Sequence, residues 1–498
     1  MGRIIRKTLT ALLIVASVTT AAVVCAAVQV FDGTGQWHTN DDDNQTIAMA
    51  RAKQRAQVDA QKKAGVYLKT FSRAINSELT DEEISAVTNN IIELVGDVHY
   101  DKKLIPLSEQ QTTLLYTATL KAKIDPDGIS DWLNRDAKDK VTIIQQNNTL
   151  QDAASENDKL AADLTEQYQR AKTKAEKDKL RQQMEQADRD FLANQKLEEG
   201  LKLYYAKDYS GAIRLYNEAI ELNPNLAMAY NNRGEVFRNL GEFNRALQDF
   251  NRALQINPQL DLAYNNRGNV YQAIGNHEQA FKDYNRAIEL NPQLPLAYNN
   301  RGELLRNSGQ FDKALQDFNR AIKLNPNFDL AYNNRGNVYQ AMGNHEQAFN
   351  DYNRAIELNP QLPLAYNNRG EVFRALAQYD KAIQEYNRAI ELAPDFAIAY
   401  NNRGLAYTLS GNFNQGVSDS TKALQLEPNY PEAYTSRALA YAMSGNFQQA
   451  IDDNNRAIEL NPNLAVAYYL RGVCYQELGN TTQAQADLTR AKELGYDG

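Results

Sequence analysis

Few residues in this sequence have the type and spacing for catalysis. His277-Glu278-Gln279-Ala280-Phe281 begins as a zinc-hydrolase helix does, but Phe281 stands where the second histidine must stand one turn on. The same segment recurs at His345. Both fall at turns between helical stretches, so surface histidines are expected there. Only 4 histidines occur in 498 residues. There is no phosphate-cradling glycine loop, no dinucleotide fingerprint, no CxxC and no nucleophile elbow. Asp41-Asp42-Asp43 is read as a solvated acidic loop. No catalytic residue, no cofactor and no metal are expected, and the chain is read as not an enzyme. What does recur is recognition chemistry. Arg233, Arg267, Arg301, Arg335, Arg369, Arg403, Arg437 and Arg471 are each followed at i+16 by a carboxylate, from Asp249 and Asp283 through Glu385 to Asp487. An earlier stretch lacks both members, with Glu199 and Leu215 in their places. Joint presence and joint absence predict an arginine–carboxylate bridge of structural purpose.

The elements that position these side chains follow a strict period. Prolines stand at Pro224, Pro258, Pro292 and onwards to Pro462, and each is followed by the next at i+34. A fixed period of this size marks a stack of supersecondary units, each burying its neighbour's apolar face. A glycine series (Gly200, Gly234, Gly268 and onwards, with Ala438 in its one gap) and two alanine series keep the same phase. Each unit predicts two helices. The first starts after the proline, and the second follows a Gly-Asn or Gly-Gln turn. Proline suits the junction because it cannot continue the preceding helix.

The aromatic at the fourth position (Tyr230, Tyr264, Tyr298), the small residue at the eighth, the aromatic at the eleventh (Phe237, Tyr271, Tyr339), the alanines and the closing proline resemble the tetratricopeptide repeat (TPR) family over residues 191–496, as nine units. The resemblance implies a mainly α fold, an α-solenoid winding helix pairs into a right-handed superhelix. It also implies that the first helices line a concave side through positions two, five, nine and twelve. Position five is then Asn231, Asn265, Asn299, Asn333, Asn367 and Asn401. Positions nine and twelve alternate between Glu235 with Arg238, Glu303 with Arg306 and Glu371 with Arg374, and Asn269 with Gln272 and Asn337 with Gln340. The sequence from Leu262 to Asn300 nearly repeats from Leu330 to Asn368, so the real period is 68. An asparagine ladder offers donors and acceptors to the backbone of an extended chain, so the expected ligand is a protein or peptide held in the groove. The lysines of a carboxylate-clamping groove are missing. From Leu405 the face turns apolar through Thr408, Leu409, Leu439, Ala442 and Met443.

Ahead of the repeats the composition changes three times. Residues 1–27 read as a signal peptide or membrane anchor: Arg3, Arg6 and Lys7 precede an apolar run, with Ala27 a suitable cleavage point. Cys25 lies in this run and Cys474 in the last repeat, so no disulfide framework is expected. Residues 28–135 read as a small α+β domain. A strand to Phe31 turns at Asp32-Gly33, and a helix over 44–63 stops at Gly65. A strand over 66–71 follows, then a helix capped by Thr80, strands over 91–98 and 112–124, and a short helix after Asp125. Its order, from "ARAKQRAQVDAQKKAGVYL" to "KAKIDPDGISDWL", is similar to the N-terminal domain of the flagellar assembly protein T family and to small envelope lipoproteins, which implies a role in envelope assembly. Residues 136–190 lack glycine and proline and predict one long helical or coiled-coil spacer. The net charge of −8 offers no basic field for nucleic acid. The expected protein is an exported, periplasmic or envelope-associated bacterial scaffold. Its rivals are a self-associating structural protein and an envelope enzyme with its site in the N-terminal domain.

Overall fold

A computed structural model of the chain describes residues 29–39, 45–74, 79–108, 111–124 and 137–496. The leader, the acidic run at 41–43 and the helix expected after Asp125 lie outside the described residues. The chain divides into two compact units, Met1–Ala297 and Tyr298–Gly498.

The first unit opens with a three-stranded antiparallel sheet. Strands β1 (Gln29–Thr39), β2 (Ile92–Ser108) and β3 (Gln111–Ile124) lie in the order β1-β3-β2. Helix α1 (Gln45–Ala74) packs on the sheet. It presents Ala48, Ala52, Ala56, Ala60, Ala64 and Leu68, one residue per turn, all buried. Such a small-residue stripe brings backbone against backbone. Asp32-Gly33 therefore does not end the strand, as the sequence suggested, and β1 runs on through Gly33 and Gly35. They give clearance: a Cβ on Gly35 would lie 2.2 Å from the Ala52 carbonyl oxygen, and one on Gly33 would lie 2.0 Å from that of Ala56. Residues 66–71 are not a strand but the end of α1. Burial of Ala64 and Leu68 on one helical face outweighs the β-propensity of Val66, Tyr67 and Thr70. Helix α2 (Asp81–Ile91) starts as expected, with Thr80 Oγ1 accepting from Glu83 N and Glu83 Oε2 accepting from Thr80 N.

The spacer is not one helix. It is a hairpin of α3 (Ala137–Arg170) and α4 (Lys174–Tyr205). The break comes at a second capping box: Thr173 Oγ1 accepts from Glu176 N, and Glu176 Oε2 accepts from Thr173 N. Along α3, Ile143, Asn147, Leu150, Ala154, Asn157, Ala161, Leu164 and Tyr168 step by four and three residues. All are buried except Ala154 and Tyr168, which are half-buried. That is a heptad seam, built mainly of small and amide side chains. Arg51 of α1 locks the hairpin to the domain. Its guanidinium is buried and donates to Asp158 Oδ1 at 3.0 Å and Asn157 Oδ1 at 3.0 Å on α3, and to Asp188 Oδ1 at 3.2 Å on α4. It also stacks between the rings of Trp37 and Phe191, at 4.8 and 4.3 Å. Burial pushes the Asp188 carboxyl up from its ordinary range, and Arg51 partly offsets this.

The end of α4 and helix α5 (Tyr209–Leu222) form the first helix pair. The first unit continues with α6 (Ala227–Asn239), α7 (Phe243–Ile256), α8 (Asp261–Ala273) and α9 (His277–Leu290), and α10 (Pro295–Asn307) begins at its end. The second unit contains α11 (Phe311–Leu324), α12 (Asp329–Ala341), α13 (His345–Leu358), α14 (Pro363–Ala375), α15 (Tyr379–Leu392), α16 (Ala397–Leu409) and α17 (Phe413–Leu426). It closes with α18 (Pro431–Met443), α19 (Phe447–Leu460), α20 (Ala465–Glu477) and α21 (Thr481–Glu493). In the pairs from Gly200 to Gly370 the eighth-position glycine sits under an aromatic ring of the second helix, whereas Gly404 and Gly472 face Ser420 and Leu488. A Cβ on Gly268 would lie 2.7 Å from the Tyr284 ring. The rule explains the one gap in the glycine series: Ala438 is tolerated because Asn454 stands where the ring would be.

The turn inside each pair needs a left-handed residue, and glycine supplies it at Gly275 and its equivalents. In the second unit Ala377 takes that place at φ 56, which costs an L-residue about 1–2 kcal/mol. Ala377→Gly is expected to stabilise the chain by about 1 kcal/mol in thermal unfolding, net of the extra freedom glycine gives the unfolded state. Arg51→Ala is expected to cost about 3–5 kcal/mol, because two carboxylates and Asn157 lose a buried partner. Arg55→Ala, which removes a more exposed ion pair to Asp158, is expected to cost under about 1 kcal/mol. Urea unfolding read by tryptophan emission checks both, since the 2 tryptophans of the chain lie ahead of the repeats.

Candidate functional site

The expected site is the face built by the first helices of the pairs. Its asparagines are placed by a local rule. Positions five and six are both asparagine, so each helix carries two adjacent carboxamides at one level. Position five is buried throughout, at Asn231, Asn265, Asn299, Asn333, Asn367 and Asn401. Its amide donates to its own neighbour at position six: Asn231 to Asn232 at 3.0 Å, Asn367 to Asn368 at 3.2 Å. Position six donates back to position five of the preceding repeat: Asn266 to Asn231 at 3.3 Å in the first unit, Asn368 to Asn333 and Asn402 to Asn367 at 3.0 Å in the second. Within each unit the ladder therefore joins repeat to repeat. A carboxamide oxygen accepts twice, so the second lone pair of position six is what such a ladder keeps for a ligand.

Positions nine and twelve are half-buried and follow the ring at position 24. Where that ring is tyrosine with Asn and Gln above it, the phenol is shared between them. Tyr352 Oη lies 2.8 Å from Asn337 Oδ1 and 2.7 Å from Gln340 Oε1, and Tyr284 lies 2.9 and 2.8 Å from Asn269 and Gln272. Burial pushes the Tyr352 phenol far up, so it stays a donor. Glu235 and Arg238 form a two-pronged pair at 2.6 and 3.1 Å. Arg306 instead donates to Asn307 at 2.9 Å, and the Nε atoms of Arg306 and Arg374 are enclosed without a partner. Glu371 accepts from Gln340 at 3.1 Å and from Asn402 at 3.0 Å, and Glu303 is half-buried. Of the apolar end, Leu409 and Met443 are exposed, Leu405, Leu439 and Ala442 half-buried, and Thr408 buried with its hydroxyl on the Gly404 carbonyl. His277 and His345 each open a second helix.

The arginine–carboxylate bridges form at all eight pairs. Arg233 grips Asp249 through Nε at 2.8 Å and Nη2 at 2.7 Å, which holds the guanidinium above its ordinary range despite burial. Its remaining Nη1 donates to Asn217 of the preceding pair at 2.6 Å. Arg267, Arg335, Arg369, Arg403 and Arg471 repeat this on Asn251, Asn319, Asn353, Asn387 and Asn455. The sequence carried that partner too, at i−16 from each of these arginines, mirroring the carboxylate at i+16.

Sequence reasoning missed α3. Its N-terminal half lies against the first-helix face of the first unit. Gln146 Nε2 donates to Asn232 Oδ1 at 3.1 Å, and Gln145 Nε2 donates to Asp261 Oδ2 at 3.0 Å. Tyr205 Oη donates to Gln146 Oε1 at 3.2 Å. Leu150 joins the buried cluster that holds Leu197, Leu201 and Met228. The position-two residues of this unit, Met228, Leu262 and Leu296, are buried, whereas Leu364 and Ile398 of the second unit are 42% and 43% exposed.

The family assignment agrees with this geometry. Tetratricopeptide repeat profiles match residues 227–260, 262–294, 330–362 and 431–464, with related profiles on 200–241, 283–316, 302–343, 351–384, 370–411, 397–430 and 455–486. The matches span more than half of the chain, which belongs to the tetratricopeptide repeat family. It is 42% identical over 57 residues to the small glutamine-rich tetratricopeptide repeat-containing protein 2 of Mycosarcoma maydis, 11% of this chain and 16% of that one. Among solved structures it is similar to the APC/C hetero-tetramer Cut9-Hcn1, with a TM-score of 0.49, 18% identity and coverage of 61% of this chain and 63% of that one. It is also similar to a tetratricopeptide repeat protein of Parabacteroides merdae, with a TM-score of 0.42, 21% identity and coverage of 50% and 98%. The chain thus spans a small part of the first of these relatives and under two thirds of the second.

Tyr352→Phe is expected to cost about 1–2 kcal/mol in denaturant unfolding, because it takes the phenol donor from Gln340 Oε1, whereas Asn337 Oδ1 keeps the amide of Asn368. A double-mutant cycle on Arg335 and Asp351 is expected to give a coupling of about 1–3 kcal/mol. Additive single effects there would remove the bridge from the account.

Proposed function

We propose that this chain is a non-catalytic, exported scaffold of the bacterial cell envelope, and that it holds another protein on the first-helix face of its second unit. The observation that carries this reading is the contrast at position two. Met228, Leu262 and Leu296 are buried in the first unit, while in the second Leu330 and Val466 are half-buried and Leu364 and Ile398 stand exposed on the same helical face. On the same face Arg306 and Arg374, at position twelve, are half-buried, and Arg306 donates to Asn307. Apolar contact would supply affinity and the arginines would fix orientation on carbonyl or carboxylate groups. The polar groups of this face are already bonded to one another, so the surface is preorganised and a partner need not order it. The acidic balance of −8 argues for protein over nucleic acid as the ligand. No described helix is long and apolar enough to cross a membrane.

The test is affinity capture from envelope extract. The full chain is compared with Arg306→Ala/Arg374→Ala and with Arg286→Ala/Arg354→Ala/Arg388→Ala, whose arginines form ion pairs on the second helices. A partner retained by the third chain and lost by the second is the expected result. Retention by the second and loss by the third would move binding to the opposite face. Capture of the chain's own copies alone, with dimers or larger in light scattering, would replace the scaffold reading by self-assembly.

A further inference from the structure

The first unit contains a worked example of what a first-helix face accepts. On α6, Met228 and Asn232 are spaced i, i+4 and share one stripe. On α3, Gln146 and Leu150 have the same spacing. The two stripes meet: the Gln146 amide donates to Asn232 Oδ1 at 3.1 Å, and Leu150 and Met228 join one buried cluster. Asn232 Oδ1 also takes the amide of Asn231 at 3.0 Å, so both its lone pairs are used. On α14 of the second unit the same stripe recurs as Leu364 and Asn368. Leu364 is exposed, and Asn368 is half-buried where Asn232 is buried. Asn368 Oδ1 accepts from Asn367 at 3.2 Å, the counterpart of the Asn231 bond, and its second lone pair matches the one Gln146 fills on Asn232. Ile398 and Asn402 repeat the stripe on α16, and Ile398 is equally exposed.

From this repetition we propose that α14 and α16 dock an amphipathic helix of a partner protein. That helix carries a carboxamide and, four residues on, a large aliphatic residue, as α3 does at Gln146 and Leu150. The proposal rests on the reading that this face is the partner surface, and it replaces the extended peptide expected from the asparagine ladder with a helix. The physical ground is that position five is buried with its amide turned to position six, while a side-chain amide reaching from a helix finds position six. Aliphatic burial between the helices supplies the rest of the affinity.

A fluorescein-labelled peptide of residues 137–170 serves as the probe, titrated into the full chain by anisotropy. Binding is expected to weaken at least tenfold on Leu364→Asp/Ile398→Asp and on Asn368→Ala. The same loss is expected for a peptide carrying Gln146→Ala and Leu150→Ala. Leu364 and Ile398 are exposed, so circular dichroism should find those variants folded. No binding to the full chain overturns the proposal. So does binding that survives Leu364→Asp/Ile398→Asp but is lost on Asn232→Ala, because the peptide then exchanges with α3. If the peptide fails while the captured protein still depends on Arg306 and Arg374, the helix chemistry falls and the scaffold reading stands.

Discussion

Each repeat after the first hangs on one guanidinium. Arg233 and its equivalents use a planar fork to hold the carboxylate of their own second helix, and in most repeats a third nitrogen reaches the preceding pair. No other side chain offers donors in that fixed geometry with a charge that survives burial. One residue thereby sets the angle within a repeat and the join to its predecessor. Arg51 does the same work where the repeat pattern has not yet begun, tying α1 to both arms of the spacer hairpin. Apolar packing is modest in the repeats: the buried positions are largely alanine, glycine and asparagine, with a central ring in each pair only as far as Tyr386. Polar pairing carries the specificity that larger side chains provide elsewhere.

That economy shapes the candidate binding face. A surface of asparagine, glutamine, glutamate and arginine would be mobile and strongly hydrated if its groups were independent. Here position six bonds to position five, positions nine and twelve bond to each other, to the ring below, to a neighbouring side chain or to the next repeat, and little is left to rearrange. The exposed aliphatic residues at position two then stand on a rigid polar floor. The first unit differs because its own α3 lies on that floor and places two glutamines where a ligand would place donors.

Much of the fold was legible because the repeat displays its reasons many times over. The glycine at Gly268 and the ring at Tyr284 recur together, and Ala438 with Asn454 breaks both at once. The bridge of Arg335 to Asp351 was readable from the joint presence of the two residue types at one fixed spacing. Asn319 stands at the same spacing on the other side of Arg335 and obeyed the same logic. It was passed over, since neutral side chains draw less attention than charges. The spacer was misread for lack of glycine or proline. Thr173 and Glu176 form a capping box that needs neither, and the α3 seam was overlooked because Asn147, Asn157 and Ala161 occupy places where leucine was sought. In the N-terminal domain, Asp32-Gly33 resembled a turn in sequence, because the sequence does not display the helix backbone that approaches Gly33. The burial of position five was likewise invisible, since it depends on contacts between repeats rather than on any single helix.

The central claim is that one face is covered by the chain's own helix in the first unit and open in the second. Hydroxyl-radical footprinting of the full chain measures this directly, residue by residue. The account predicts strong labelling of Leu364 and Ile398 and protection of Met228, Leu262 and Leu296. Equal labelling of Met228 with Leu364 and Ile398 would mean that α3 does not rest on the first unit's face, and the distinction between a covered and an open face would be lost.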